Sequence, residues 1–104
     1  RPVGTWDGHH VEGYEIHHGV VDDDGSFPGG AVRGQVWGSI WHGTMEQDGF
    51  RRAWLRQVAV AAGSEWVPDG SAPGFSARRE GMIDLLADAV EEHLDVPAIM
   101  QLAR

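Results

Sequence analysis

The alternation of apolar and polar positions is strongest in Gly34-Gln35-Val36-Trp37-Gly38-Ser39-Ile40-Trp41-His42-Gly43. On a β-strand, Val36, Ile40 and His42 share one face, and Trp37, Ser39 and Trp41 the other. Both faces carry large apolar groups, so the pattern predicts a strand covered on two sides, as in the sheet of an α/β protein. Val11-Glu12-Gly13-Tyr14-Glu15-Ile16-His17-His18 predicts an earlier strand, with Tyr14, Ile16 and His18 on the face shared by His10 and Glu12. Arg1 to Gly8 has no periodic signal and reads as a loop or ragged strand around Trp6.

Helical spacing takes over after His42-Gly43. Phe50, Trp54, Leu55, Val58 and Ala62 recur on one face, with Arg51, Arg52 and Arg56 mostly elsewhere. Thr44-Met45-Glu46-Gln47 has the form of a capping box, Asp48 is an alternative N-cap, and Gly63 is a natural stop. Ser64 to Phe75 is loop-like, with turn signals at Pro68-Asp69-Gly70 and Pro73-Gly74. Ser76 then predicts the N-cap of a second helix, whose stripe is Ile83, Leu86, Val90 and Leu94. A short last helix begins at Asp95-Val96-Pro97, because proline in a first turn loses no hydrogen bond. The order is strand, loop, strand, helix, loop, helix, short helix. So few strands cannot cover these helices, which places the rest of the sheet before Arg1.

Composition narrows the chemistry. The 104 residues carry a net charge of −8, which disfavours nucleic acid and anionic membranes as partners. There is no long apolar run for a signal or a membrane span. The chain opens at Arg1-Pro2 and reads as a piece of a longer soluble polypeptide. With no cysteine, it holds no disulfide, no thiolate metal site and no cysteine nucleophile. Five tryptophans predict a core of few but large members. Asp22-Asp23-Asp24-Gly25 lacks the ligand ladder and distal glutamate of a calcium loop and reads as a solvated loop.

Five of the six histidines precede Gly43, and His42 is the one with the most telling position. It ends a strand before a strand-to-helix turn, where open α/β sheets place their chemistry. A histidine that merely closes a strand fits the spacing as well. His10, His18 and His42 are the set from which a metal site would have to be built. Against it, there is no His-x-x-x-His helix pair, and adjacent strand histidines point to opposite faces.

Gly13-Tyr14-Glu15-Ile16-His17-His18-Gly19, then Gly38-Ser39-Ile40-Trp41-His42-Gly43, then Asp48-Gly49-Phe50-Arg51-Arg52-Ala53-Trp54-Leu55, resembles the C-terminal part of cobyric acid synthase. Arg79-Glu80-Gly81-Met82-Ile83-Asp84-Leu85-Leu86-Ala87-Asp88, with Glu92-His93-Leu94-Asp95, looks like the same family's last helix. The resemblance spans nearly the whole chain, and Gly-Tyr-Glu-Ile-His is its most specific stretch.

It implies the C-terminal portion of a flavodoxin-like, class I glutamine amidotransferase domain, with residues 1–104 as one part of it. In that family a cysteine thiolate attacks the glutamine side-chain amide while a histidine shuttles the proton, and the resemblance puts this histidine at His42. The implied partners are glutamine, the upstream half of the domain, a synthetase domain and a corrin. The parent would be a cytoplasmic enzyme of cobalamin biosynthesis that amidates cobyrinic acid a,c-diamide to cobyric acid. No cofactor is implied for residues 1–104; ATP and magnesium belong to the synthetase domain.

Many class I members carry His-Pro-Glu, whose glutamate orients the imidazole. Here Gly43 and Thr44 follow His42, which implies a Cys-His dyad without that carboxylate. Glu15, Glu46 and a backbone carbonyl are candidates for holding the ring, and the backbone is favoured. His17 and His18 lie near the glutamine pocket if their strand neighbours that of His42, and are otherwise structural hydrogen bonders. The alternatives are the glutaminase partner of a cell-wall precursor amidating enzyme, and a non-enzymatic histidine-rich module binding a metal or ligand. The Gly-Tyr-Glu-Ile-His stretch and the Phe-Arg-Arg helix speak against the former.

Overall fold

The computed structural model describes residues 1–103. Six short strands come first: β1 (Val3–Trp6), β2 (His9–Glu12), β3 (Tyr14–Glu15), β4 (Gly30–Arg33), β5 (Val36–Ser39) and β6 (Trp41–His42). A 3₁₀ turn at Thr44–Glu46 then leads to α1 (Asp48–Ala61), α2 (Phe75–His93) and α3 (Val96–Leu102). The chain divides into two compact units, Arg1–Ala72 and Pro73–Arg104.

In the first unit the strands form three antiparallel ribbons, β1 with β2, β3 with β6, and β4 with β5. Two of them are tight hairpins. Asp7 and Gly8 both have positive φ (47° and 75°), the two-residue turn whose twist suits a hairpin. Gly34, at φ 57°, opens the two-residue loop that sets Arg33 opposite Val36.

This corrects the reading of the two strands. The stretch from Gly34 to Gly43 is not one strand covered on both faces. It begins as a hairpin loop, pairs with β4 as β5, breaks at Ile40 and resumes as β6, and Val36 is 70% exposed. Likewise the stretch from Val11 to His18 ends its regular pairing at Glu15, and Ile16 is 72% exposed. Its buried residues are Val11, at 0% exposure, and Gly13, so the odd positions face inward, not the even ones.

The core is aromatic, as five tryptophans suggest. Val11, Phe27 and Phe50 form its centre, and Trp6, Val32, Trp37, Trp41 and Trp54 pack around them. Trp6 meets Phe27 and Phe50 edge-on, at centroid distances of 6.2 and 5.6 Å. Trp37 does the same to Trp54 at 5.8 Å, which joins the β4–β5 hairpin to α1.

The helix α1 follows its pattern with one change at the start. Its N-cap is Gln47, without a side-chain cap hydrogen bond, because the chain first closes the 3₁₀ turn and buries Thr44. Thr44 therefore heads no capping box. At the other end Gly63 N–H donates to Val60 and Ser64 N–H to Ala59, a Schellman closure. The arginines do more than cover the surface. Arg51 donates to Met45 O and Asp48 Oδ1, Arg52 to Ala72 O and Arg56 to Trp66 O, each at 2.8 Å. They fasten α1 to the segments on either side of it.

The acidic loop is a set of local turns. Asp24 Oδ1 accepts from the Ser26 amide (3.0 Å) and hydroxyl (2.6 Å), and the Ser26 Oγ accepts from Val32 N–H (2.9 Å). Arg33 closes the knot with a 2.7 Å bond to Asp24 Oδ2. The Ser26 hydrogen bonds, followed by Arg33, hold the Asp24 carboxyl well below its ordinary value of 3.8. Its contribution is therefore complete above pH 3.8 and lost as the pH falls further. Hydrogen-exchange protection at the Ser26 and Val32 amides is expected to hold down to that pH and then decline. Asp24→Ala is expected to remove it already at neutral pH; unchanged protection there would contradict the role of the knot.

In the second unit, α2 starts at Phe75 with Gly74 as N-cap, two residues earlier than the Ser76 expected from side-chain capping. Arg79, one turn further along the helix, lies over the Phe75 ring, 5.3 Å from its centroid. The α2 stripe is present but uncovered, with Ile83 50% and Leu86 66% exposed. Asp95 caps α3 by accepting from Ala98 N–H at 3.2 Å, with Pro97 in the first turn as expected.

Candidate functional site

Chain direction brings the two motif stretches together. β3 pairs antiparallel with β6, with Tyr14 opposite His42 and Glu15 opposite Trp41. Neighbouring strand residues point to opposite faces, so Tyr14 and His42 share one face, and Glu15 and Trp41 the other.

His42 is exposed, and two contacts fix its ring. Nε2 lies 3.3 Å from the carbonyl oxygen of Ile16. A carbonyl only accepts, so Nε2 carries the proton and the basic lone pair is on Nδ1. The Tyr14 ring stacks on the imidazole at 5.3 Å between centroids and 19° between planes. Of the three candidates for holding the ring, a backbone carbonyl, that of Ile16, is within hydrogen-bond distance of it.

Two glycines make it possible. Gly43 has φ 78°, and a Cβ there would come within 3.1 Å of Tyr14 Cε1. Gly13 has no room for a Cβ either: the His42 carbonyl oxygen would be 2.7 Å away and Trp41 Cβ 2.9 Å. A side chain at Gly13 would push β6 off β3 and with it His42 off Ile16.

The other expected residues are placed differently. Glu15 is on the face opposite His42, where its Oε2 is 3.5 Å from His17 Nε2. His17 Nδ1–H donates to Gly19 O at 3.0 Å, so this side chain is held by its own bend. His18 is exposed on the same bend. Glu46 lies beside Gly43, with its Cδ 3.9 Å from where a Gly43 Cβ would be. His10 pairs with Glu12 at 3.3 Å, and among the described residues no three histidine, aspartate or glutamate side chains converge as metal ligands. The metal cluster of His10, His18 and His42 is thus not assembled.

A cleft of about 380 Å³ is lined by Thr5, Glu15, Asp23, Phe27, Ile40 and Trp41, among others. Because Glu15 and Trp41 line it, it opens on the face of the β3–β6 ribbon turned away from His42. Its occupant would not meet the imidazole. The residue that the sequence did not single out is Tyr14. Only the register of β3 against β6 puts its ring on His42; its place in the Gly-Tyr-Glu-Ile-His stretch was the available signal.

No helix among the described residues is long and apolar enough to cross a membrane. No family model matches the chain, and no solved structure matches it. Curated relatives do. The chain is 52% identical over 104 residues to a protein of Cutibacterium acnes named cobyric acid synthase, covering 97% of this chain and 22% of that protein. It is 53% identical over 104 residues to the cobyric acid synthase of Streptomyces avermitilis, covering 98% of this chain and 20% of that one. For the cobyric acid synthase of Streptomyces coelicolor the identity is 49%, with the same coverage of 98% and 20%. The chain therefore matches, over nearly its whole length, a C-terminal-type part of cobyric acid synthases, and spans about a fifth of their length.

Proposed function

We propose that this chain, similar from end to end to a fifth of the cobyric acid synthases, supplies the histidine side of their glutaminase site. The observation that carries the reading is His42 itself. It lies inside the matched stretch, at the end of a strand and before a left-handed turn, with one ring nitrogen bound to backbone and the other carrying a lone pair.

In this reading a cysteine from another part of the longer polypeptide gives its thiol proton to His42 and attacks the glutamine δ-carbonyl. His42 returns the proton to the departing amine, so ammonia leaves and a glutamyl thioester remains, which water hydrolyses. The ammonia is then used by a synthetase domain that activates a corrin carboxylate with ATP and magnesium, taking cobyrinic acid a,c-diamide to cobyric acid in the cytoplasm. The fold around the site would be the closing part of a flavodoxin-like amidotransferase domain. The rest of its sheet would cover the α2 stripe that is exposed here. The cell-wall alternative loses ground to relatives named cobyric acid synthase at 40 to 53% identity. The binding-module alternative loses ground to the scattered histidines.

The test has two arms. The chain purified alone is expected to release no ammonia from glutamine, since it contains no cysteine. The longer polypeptide is expected to do so, and to stop when its thiols are alkylated. Glutaminase activity from the chain alone, or alkylation without effect, would overturn the assignment.

A further inference from the structure

The geometry points to Tyr14 as a positioning residue for His42, acting through its ring and not through its hydroxyl. The inference deepens the proposed function and rests on it.

Three observations converge on one small region. Tyr14 is the register partner of His42 across the β3–β6 ribbon, so backbone pairing puts the two side chains on the same face. Their rings lie nearly parallel, 19° apart, at a centroid distance of 5.3 Å. Gly43 leaves the Tyr14 edge clear where any Cβ would come within 3.1 Å of it. The ring that results has little freedom. Ile16 O fixes Nε2 in the imidazole plane, while Tyr14 limits rotation and tilt from one side. Neither contact alone would do both.

An exposed imidazole needs this. His42 stands on a two-residue strand with solvent on its free side, and no carboxylate two positions on is available to hold it. Stacking on an aromatic face supplies the missing constraint and leaves Nδ1 open. The Tyr14 hydroxyl plays no part in the stacking contact, so phenylalanine should serve equally. Tyr14 is itself 41% exposed, and trimming it leaves the Val11–Phe27–Phe50 core untouched.

The experiment compares Tyr14→Leu, Tyr14→Phe and His42→Ala in the longer polypeptide. Glutamine hydrolysis in Tyr14→Leu is expected to fall by about a hundredfold in kcat with KM little changed, as for a catalytic group displaced by a fraction of its working distance. Tyr14→Phe is expected to restore nearly full activity. The His42 imidazole proton resonances should show the upfield shift of a ring stacked on tyrosine, kept in Tyr14→Phe and lost in Tyr14→Leu. If His42→Ala abolishes glutaminase but Tyr14→Leu keeps normal kcat, the positioning role is wrong and the histidine assignment stands. If His42→Ala itself keeps activity, the proposed function fails first. Loss in both Tyr14→Leu and Tyr14→Phe would overturn the ring-only role and move attention to the hydroxyl.

Discussion

His42→Ala in the longer polypeptide is expected to lower glutamine-dependent amidation by about a hundred- to ten-thousandfold, the usual worth of a positioned acid–base group. Ammonia-dependent amidation should stay nearly unchanged. On the proposed function the two readouts separate because His42 would serve only the release of ammonia, while the carboxylate would be activated at another site that free ammonia can reach. His42→Asn should behave like His42→Ala, since an amide cannot take a proton at neutral pH. His17→Ala and His18→Ala should cost far less. His17 is bound to its own bend through Gly19 O and faces Glu15, and His18 is exposed beyond it. Normal glutamine-dependent turnover in His42→Ala, with loss in His17→Ala or His18→Ala, would move the catalytic histidine to the earlier segment.

How much of this was legible beforehand depends on the kind of interaction. Helices α1 and α3 were readable because their signals are local: a 3.6-residue stripe, Gly63 after the last turn, and Asp95-Val96-Pro97 at the start. The size of the core members was readable too, since five tryptophans and three phenylalanines leave few other ways to fill it. The strands were harder. Alternation in the Gly34–Gly43 stretch tells which residues share a face, not whether another layer covers that face. The break at Ile40 interrupts nothing in the apolar pattern, so one strand was read where β5 and β6 exist. At Asp7-Gly8 the signal was there, a turn pair with flanking extended residues. Thr5 and Gly4 simply offer too little apolar contrast to reveal β1.

The site divides in the same way. His42 could be singled out from its place before a strand-to-helix turn and from the family resemblance. A backbone carbonyl was the favoured holder, but which carbonyl it is, and the Tyr14 ring beside it, could not be read, because Ile16 lies 26 positions away and Tyr14 28, and only cross-strand register brings them in. A glutamate two residues after the histidine would have been visible in the sequence. A carbonyl and a stacked ring are not.

The face that carries His42 depends in turn on the core beneath it, and Phe50 is where that dependence is sharpest. Phe50→Ala is expected to destabilise the first unit by about 3–5 kcal/mol, the range for removing a buried phenylalanine. Phe50 is 1% exposed and touches both other pillars of the core, lying 5.9 Å from Phe27 and 5.6 Å from Trp6 between ring centroids. It is also the third residue of α1, so it anchors the start of that helix just after the turn that follows His42. With Val11 and Phe27 it forms the buried centre, so its removal opens a cavity that the surrounding tryptophans fill only by giving up their own contacts. A loss of that size is comparable to the whole stability of many small domains. The melting transition should therefore drop by well over ten degrees or vanish, and the Tyr14–His42 stacking shift should disappear with it. Phe50→Leu, which keeps most of the volume, is expected to retain the fold and the stack with a smaller loss. A Phe50→Ala variant that melted like the parent would mean that the aromatic cluster is not what holds the His42 turn in place.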